Sequence, residues 1–240
     1  MPAPVKATAV LIIPALNEEA VIGQTLARIP AGLFALVIVA DNGSADRTSE
    51  VARQAGALVV RTEERGYGTA CLRAMEAIEA DVEAVVFMQA DGSEDPAEAE
   101  HLLSPIYDGR ADLVLGSRVS GTAEKGALLP HQRLGNWLAT RMIRLIFGFS
   151  YSDLGPFRAI RWSALRRMGL RDRNYGWTVE MQVRAVQQGL RVLELPVSYS
   201  VRRGGENKVS GNLKACVLAS LKIFWVVGRL TLSSEPSSDA

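Results

Sequence analysis

The chain has 240 residues, of which 48% are hydrophobic and 22% are charged, and its formal net charge at pH 7 is +1. This composition is typical of a folded globular protein, and it argues against a disordered chain and against a surface that binds nucleic acid generally. The length is enough for one substantial hydrophobic core. Two histidines and two cysteines that form no CxxC motif argue against a zinc site.

Strand and helix patterns alternate through the first half of the chain. Apolar runs predict strands, and the periodic or capped segments between them predict helices. The predicted strands are 9–13, 35–39, 58–60, 84–88 and 112–116, and the predicted helices are 18–29, 44–55, 69–79 and 96–107. Because helices join successive strands, the sequence predicts right-handed crossovers and an α/β fold with a mainly parallel sheet flanked by helices.

The second half has a different pattern. Residues 117–131 have no clear period and predict a mobile loop, in which Gly121 and Gly126 would allow closure over a bound ligand. Helices are predicted at 133–147, 177–188 and 212–232, a turn and strand at 153–160, and a strand at 192–201 that Pro196 places at a sheet edge. A disordered tail is expected at 233–240. Since no repeat or linker separates the halves, one domain over residues 1–232 is expected.

The two ends of the chain bear on its location. The first apolar run is short and ends at Pro14, so no signal peptide and a cytoplasmic location are expected. The predicted C-terminal helix has an apolar face with Trp225, but Lys222 and Arg229 interrupt it, so it falls short of a membrane span of about 20 apolar residues. Two alternatives stay open: an amphipathic helix in a membrane interface, or a helix packed on the core or on a second subunit.

Four polar clusters directly follow predicted strands, at residues 14–19, 41–44, 89–93 and 116–118. In an open parallel sheet, ligands bind beyond the carboxyl ends of the strands, near the point where the strand order reverses. Each cluster alone fits an Asx turn or a helix cap, but four at one sheet edge indicate a binding site. No GxxxxGK[ST] phosphate loop is present, and no GxGxxG follows the first strand, where a proline stands.

Several segments carry a resemblance to a known family. In chain order they are VLIIPALNEE (10–19), VIVADNGSADRT (37–48), RGYGTA (65–70), QADGSEDP (89–96) and GSR (116–118), and they resemble the successive motifs of family 2 glycosyltransferases of the GT-A fold. The later segments SDLGPFRAI (152–160), YGWTVEM (175–181) and RRGGENKVS (202–210) resemble the branch with polyprenyl-phosphate and dolichyl-phosphate mannosyl- and glucosyltransferases. The resemblance implies a Rossmann-like nucleotide-binding half at about 8–118 and an acceptor half at about 119–232.

The resemblance further implies a GDP- or UDP-linked sugar donor and a divalent cation, Mg²⁺ or Mn²⁺. A hard cation with oxygen ligands stabilises the negative charge of a departing diphosphate. The family pattern is Asp-x-Asp, in which Asp91 matches the second aspartate and Gln89 replaces the first, offering an oxygen but no charge. The implied metal ligands are Asp91, Gln89 and Ser93, with Asp95 as a further candidate, and a plain polar turn capped by Asp91 is the alternative. The implied donor-binding residues are Pro14, Ala15, Asn17, Glu18, Asp41, Gly43, Arg65, Gly66, Gly68, Gln89, Ala90 and Asp91.

For the acceptor, the resemblance implies an inverting transfer. A hydroxyl acceptor would need a general base, for which Asp153 and Glu180 are the candidates. A phosphate acceptor is already ionised near neutral pH and needs positioning, which arginines supply by bidentate pairing. The candidate phosphate-binding residues are Arg118, Arg133, Arg202, Arg203 and Lys208; for the adjacent Arg202 and Arg203, a solvated pair of charges is the alternative.

The leading hypothesis is an inverting, metal-dependent hexosyltransferase. It would move a hexose from a nucleotide-diphosphate sugar to a polyprenyl phosphate, as a peripheral protein at the cytosolic face of a membrane. One alternative is transfer to a hydroxyl of a small molecule, lipid or glycan. Another is a nucleotide-sugar-binding homologue that Gln89 has weakened catalytically. A homodimer is left open, and the base, sugar and acceptor are not determined by the motifs.

Overall fold

The computed structural model describes residues 8–79, 82–204 and 225–231. Its strands are β1 Ala9–Ala15, β2 Leu36–Asp41, β3 Leu58–Arg61, β4 Ala84–Phe87, β5 Leu113–Ala123, β6 Arg158–Arg161 and β7 Val192–Tyr199. Its helices are α1 Ile22–Ala27, α2 Thr48–Gln54, α3 Tyr67–Glu76, α4 Ala99–Tyr107, α5 Pro130–Phe147, α6 Trp162–Met168 and α7 Trp177–Gln187. Residues 225–231 are also helical, and a 3-10 turn at Pro96–Glu98 precedes α4.

The described strands form one sheet in the order β3-β2-β1-β4-β6-β5-β7. The first four of these strands are parallel, β6 runs antiparallel between β4 and β5, and β7 pairs in parallel with β5. The predicted mainly parallel sheet with flanking helices is therefore confirmed, with one reversed strand that the sequence did not reveal. Because β2 and β4 lie on opposite sides of β1, the strand order reverses at β1, where a ligand site is expected.

Both faces of the sheet are covered, which explains the continuous apolar runs. In β1, Val10 and Ile12 pack into one buried cluster, with residues of α3, α6 and α7. Leu11 and Ile13 pack into the cluster on the opposite face, with residues of α1 and α4. All four side chains are fully buried. The expectation of a single domain stays a prediction, although strands from before and after residue 118 share this sheet.

The structure corrects the prediction of a mobile loop at 117–131. Residues 117–123 belong to β5, where Thr122 pairs with Ser198 and Ala123 with Tyr199, and α5 already begins at Pro130. The strand was missed because this end of β5 is only partly buried and lacks an apolar run. Gly121 is not a hinge, since an added Cβ would overlap the backbone oxygen of Val197. Its role is close packing of β5 on β7.

Other predictions differ in their bounds. The first helix begins at Ile22 rather than at 18, and α2 begins at Thr48 rather than at 44, because residues before both helices form the polar loops of the site. The short helix α6 was not predicted. The strand containing Pro196 does lie at the sheet edge, as predicted.

The described part of the C-terminal helix packs on the core. Val226, Val227 and Leu230 belong to the cluster with α3, α6 and α7, while Trp225 is exposed. The core-packing alternative therefore holds for residues 225–231. Residues 212–224, with Lys222, and the tail at 233–240 lie outside the described residues. No helix within the described ranges is long and apolar enough to cross a membrane.

A substitution at Gly68 tests how α3 is seated. A Cβ at this position would overlap the carbonyl oxygen of Asp172, a backbone atom that cannot yield cheaply. Gly68→Ala should therefore lower the free energy of unfolding by about 1–3 kcal/mol, as overpacking does. Gly228→Ala is the matched control, because Gly228 is also helical but has open space around its Cβ. Urea denaturation should give a lower midpoint for Gly68→Ala only; equal midpoints would contradict this close packing.

Candidate active site

A cleft of about 370 Å³ opens beyond the carboxyl ends of β1, β2 and β4. Its size falls within the range of small-molecule sites, and its place is the point where the strand order reverses. The predicted donor-binding residues on its wall are Pro14, Ala15, Glu18, Arg65, Gly66, Gln89, Ala90 and Asp91. The other residues that line the cleft were not among the predicted donor-binding residues; they are Leu16, Asn42, Tyr67, Ala70, Asn174, Tyr175 and Arg202.

The remaining predicted donor residues do not line the cleft but stabilise the loops and the helix that do. Asn17 has a positive φ of 49°, and it joins the loops after β1 and β2 by accepting from Ala45 N (2.8 Å) and donating its own N–H to Ser44 Oγ (2.9 Å). Gly43 also has a positive φ (73°), which turns the second loop. Gly68 seats α3 against the backbone of Asp172.

Asp41 is fully buried and does not line the cleft. Its carboxylate accepts from Ser44 N (2.8 Å), from the hydroxyl of Ser49 and from Arg61 (3.3 Å). Burial favours the neutral form, but the hydrogen bonds from both serines and the charge of Arg61 outweigh it and lower the pKa of Asp41. Asp41 therefore stabilises the conformation of the loop after β2.

Asn42, the next residue, reaches the cleft instead. Its Nδ2 donates to Glu64 O (2.9 Å), and its Oδ1 accepts from Gly66 N (2.7 Å). An aspartate could accept from Gly66 but could not donate to Glu64. The Asn42 amide therefore fixes the loop that carries Arg65. The sequence did not predict this role, because Glu64 and Gly66 are far from Asn42 in the chain.

The three predicted metal ligands meet in the loop after β4. Ser93 Oγ lies 2.6 Å from Asp91 Oδ1 and 3.3 Å from Gln89 Oε1. Ser93 N also donates to Asp91 Oδ1 (3.0 Å), and Gly92 has a positive φ of 74° that permits the tight turn. The side-chain oxygens of this loop therefore converge on one point beside the cleft.

This oxygen set fits a cation that is shared with a ligand. Within the described ranges, no group of three or more His, Cys, Asp or Glu side chains could hold a metal ion. Mg²⁺ usually takes one or two carboxylates and completes its shell with water and substrate phosphates, and Mn²⁺ also prefers oxygen ligands. Asp91 with the neutral oxygens of Gln89 and Ser93 suits that mode of binding. A site made by the protein alone would need more carboxylates.

Arg202 lies between two acidic side chains of the cleft. Its guanidinium pairs with Glu18 Oε1 and, at 3.3 Å, with Asp91 Oδ2. The backbone beside it is fixed to the same loop, because Arg203 N donates to Asp91 O (3.0 Å) and Ser200 N to Ser93 O (2.8 Å). A cation that binds Asp91 must therefore compete with Arg202.

Asp153, the first candidate base, forms a bidentate pair with Arg118. The distances are 2.8 Å from Arg118 Nε to Asp153 Oδ2 and 2.9 Å from Nη2 to Oδ1, and the Arg118 N–H also donates to Oδ2 (2.9 Å). Asp153 is fully buried and does not line the cleft. Its sequence-based assignment as a base that faces the acceptor is not supported by this placement.

Glu180, the second candidate base, is likewise buried and committed to structure. Its Oε2 accepts from Arg171 N (2.9 Å) and Asp172 N (2.6 Å), and its Oε1 pairs with Arg184 (3.0 Å) and Arg229 (3.5 Å). These contacts join α7 to the loop at 171–172 and to the helical residues 225–231. The structure does not place Glu180 on the cleft wall.

The predicted phosphate-binding residues that the structure describes have different surroundings. Arg202 lines the cleft, and Arg203 lies alongside Gly92, whose added Cβ would be 3.2 Å from Arg203 Cδ. Arg118 is held by Asp153, and Arg133 is exposed on α5. Lys208 lies outside the described residues.

Glu94 is a buried residue of the site that sequence reasoning did not assign. Its Oε2 accepts from Gln89 N (2.7 Å), and among the described residues its Oε1 has no hydrogen-bond partner. Burial raises the pKa of Glu94 to about 8, and the charge of Asp91 adds to the effect. An acidic residue so close to Asp91 in the QADGSEDP motif was the available signal.

Comparison with known proteins decides the family. The sequence model of the family described as Glycosyl transferase family 2 matches residues 10–171. The chain is 39% identical over 219 residues to an uncharacterized glycosyltransferase of Mycobacterium tuberculosis, a match that spans 90% of this chain and 96% of that protein. The chain belongs to glycosyl transferase family 2.

Two further matches concern this glycosyltransferase's branch and fold. It is 34% identical over 197 residues to a dolichyl-phosphate hexose transferase of Haloferax volcanii, covering 80% of this chain and 82% of that protein. It superposes with a TM-score of 0.75 and 23% identity on glucosyl-3-phosphoglycerate synthase of M. tuberculosis, crystallised with Mn²⁺, UDP-glucose and phosphoglyceric acid, covering 97% of this chain and 82% of that chain. The resemblance drawn from the motifs and the GT-A fold are confirmed.

The raised pKa of Glu94 predicts a pH dependence of the glycosyltransferase's stability. Between its ordinary pKa near 4.5 and its folded pKa near 8, the folded protein holds a proton that the unfolded chain releases. The stabilisation is complete below pH 4.5 and is lost as pH rises through 8. Glu94→Gln mimics the protonated form and should flatten the fall in free energy of unfolding between pH 5 and 8.

The measurement is urea denaturation at several pH values in EDTA, so that no cation occupies Asp91. Glu100→Gln is the matched control, because Glu100 is an exposed carboxylate on α4. It should leave the pH profile unchanged. Parallel profiles for the wild type and Glu94→Gln would contradict a proton on Glu94.

Proposed function

We propose that this glycosyltransferase moves a hexose, with inversion, from a nucleotide-diphosphate sugar to a polyprenyl phosphate at the cytosolic face of a membrane. The observation that carries the donor half of this proposal is the convergence of Asp91, Gln89 and Ser93 beside a cleft at the strand-order reversal. Asn42, Arg65 and Gly66 line the same cleft, and the hydrogen bonds of Asn42 fix the backbone on both sides of Arg65.

The oxygens of Asp91, Gln89 and Ser93 would hold Mg²⁺ or Mn²⁺ together with the donor diphosphate. A bound cation supplies stabilisation of the negative charge on the departing diphosphate. Gln89 contributes an oxygen without charge, so Asp91 carries the anionic part of this binding. When Arg202 is released from Asp91 and Glu18, its guanidinium becomes available to pair with a phosphate.

Among the described residues, the carboxylates of the cleft wall and both candidate bases are paired with arginines, which favours an acceptor that is already ionised. The carboxylates on the cleft wall are Glu18 and Asp91, and Arg202 pairs with both. The candidate bases Asp153 and Glu180 are buried and paired with arginines. A hydroxyl acceptor needs a base that removes its proton, whereas a phosphate monoester does not. The similarity to a dolichyl-phosphate hexose transferase supports the same acceptor class.

A transfer assay tests the proposal. UDP- and GDP-linked hexoses are offered with Mn²⁺ and a short-chain polyprenyl phosphate, and the lipid product is measured by mass spectrometry. Asp91→Asn should lower the rate by about 100-fold or more, because an anionic group at the diphosphate is lost. Asp95→Asn is the matched control in the same loop, since Asp95 pairs with Arg28 and does not line the cleft.

The outcome that overturns the acceptor assignment is equally clear. Sugar transfer to the hydroxyl of phosphoglyceric acid or of a glycan, with none to polyprenyl phosphate, would replace it by the hydroxyl alternative. Nucleotide-sugar binding without transfer to any acceptor, measured by thermal shift, would instead support the weakened homologue.

A second experiment tests the competition at Asp91. Arg202→Gln removes a guanidinium from the position between Glu18 and Asp91, so Mn²⁺ should bind about fivefold more tightly without nucleotide, corresponding to an ion pair of roughly 1 kcal/mol. Electron paramagnetic resonance of free Mn²⁺ measures the affinity. Arg110→Gln removes the same charge from an exposed pair with Asp108 that does not line the cleft, and it serves as the control. Unchanged or weaker binding in Arg202→Gln would show that Arg202 does not compete.

A further inference from the structure

Helix α5 exposes large apolar side chains to solvent. Leu145 is 74% exposed, Leu134 and Trp137 are each 58% exposed, and Leu138 and Ile146 are also exposed. The side of α5 that meets the core is small by comparison, with Ala139, Thr140 and Ile143 buried. A surface helix normally turns its apolar side to the core and its polar side to water. Exposed apolar patches of this kind mark interaction sites.

The exposed apolar residues alternate with arginines on one surface. This surface, called the α5 face below, consists of Leu134, Trp137, Leu138, Leu145 and Ile146 together with Arg133, Arg141 and Arg144. The helix has 18 residues, which corresponds to about 27 Å in length. Its sequence from 130 to 147 contains no aspartate and no glutamate. The α5 face is therefore apolar and purely cationic.

The composition of the α5 face selects its partner. A second copy docked by two-fold symmetry would bring like patches together and set arginines against arginines, without a carboxylate from either α5. An anionic bilayer offers what the face lacks: acyl chains for leucine and tryptophan, and phosphates for guanidinium groups. Arginine side chains can extend from an apolar helix surface to the level of the head groups.

A hollow on α5 fits the same partner. It encloses about 180 Å³ and is lined by Trp137, Thr140, Arg141, Arg144, Ser150 and Tyr151. Two guanidinium groups and hydroxyl-bearing side chains beside an indole suit an anionic head group, which takes charge-assisted hydrogen bonds on one side and apolar contact on the other.

A series of contacts connects α5 to the loop that carries Gln89 and Asp91. Asn136 donates to Ser152 O (3.1 Å) and accepts from Leu154 N (2.8 Å), on either side of Asp153. Asp153 pairs with Arg118, whose guanidinium lies 5.1 Å from the centre of the Tyr199 ring. The Tyr199 hydroxyl in turn lies 3.5 Å from Gln89 Oε1. Hydrogen bonds, an ion pair and a cation–ring contact thus connect α5 to the loop that carries Asp91.

We propose that the α5 face docks this glycosyltransferase on the surface of an anionic lipid bilayer. Its apolar side chains enter the interface, and Arg141 and Arg144 contact lipid phosphates. The benefit for catalysis rests on the proposed function: a lipid-linked phosphate acceptor would meet the enzyme on the side of Arg118 and Gln89. The docking itself requires neither donor nor acceptor.

Vesicle co-sedimentation of the full chain tests the docking. Vesicles of phosphatidylcholine with about 30% phosphatidylglycerol are compared with pure phosphatidylcholine, and the wild type should partition onto the anionic vesicles and be released by salt. Trp137→Ser with Leu145→Ser should lower the partition coefficient at least about tenfold. Arg141→Gln with Arg144→Gln should lower it by about 25-fold, or roughly fivefold for each arginine.

The matched control changes the same residue types elsewhere on the surface. Leu58→Ser with Arg53→Gln removes an exposed leucine and an exposed arginine from β3 and α2, and partition should stay at the wild-type level. Near-ultraviolet circular dichroism and melting temperature verify that each variant is folded. Because all replaced side chains are exposed, the fold should be retained.

Three outcomes would overturn the docking proposal. The wild type stays in the supernatant, the α5 variants partition like the control, or the α5 variants convert a dimer to a monomer without any effect on vesicles. Transfer to a short-chain, water-dispersed polyprenyl phosphate separates this proposal from the proposed function. Intact docking with no transfer to any acceptor overturns only the proposed function. Intact transfer by a wild-type protein that does not bind the vesicles overturns only the docking.

Discussion

The buried ion pair between Arg118 and Asp153 is the contact on which the turn at 152–154 and its connection to α5 depend. It joins β5 to the turn at 152–154, which Asn136 fixes to α5 and Glu194 of β7 fixes to the sheet, with 2.8 Å from Ser152 N to Glu194 Oε2. Breaking such a pair leaves an uncompensated buried charge, at a cost of about 3–5 kcal/mol. In this structure Asp153 is a buried anchor of the turn and does not line the cleft.

The cleft is organised by amides and arginines more than by unpaired carboxylates. Asn42 binds the backbone on both sides of Arg65, and Gln89 contributes a neutral oxygen next to Asp91. Arg202 compensates the charges of Glu18 and Asp91, which would otherwise repel each other in a partly desolvated cleft. In the proposed donor complex, a diphosphate with its cation would displace this guanidinium from Asp91.

Helix α5 contacts the turn at 152–154 on its inner side and solvent on its outer side. Its inner side is tied to the turn that holds Arg118, and its outer side presents tryptophan, leucine and arginine to solvent. An enzyme with a lipid-linked acceptor must meet both a water-soluble donor and a membrane surface. In the two proposals, the α5 face binds the membrane surface and the cleft binds the donor, and the contacts of Asn136 connect them. The described part of the C-terminal helix packs on the core instead.

The sequence by itself determined the alternation of strands and helices, the sheet class, the family and the loops after β1, β2 and β4. These follow from local apolar periodicity and from the rule that such loops share one sheet edge. It did not determine the reversed strand β6, the polar end of β5 or the partners of Asp153 and Glu180. Those depend on contacts between residues far apart in the chain, such as Arg118 with Asp153 and Arg202 with Glu18. The residues next to a charged side chain in the sequence do not show which distant residue it will pair with. Only the tertiary structure decided which carboxylates meet the cleft and which are neutralised by arginine, because burial and pairing arise when distant segments pack together.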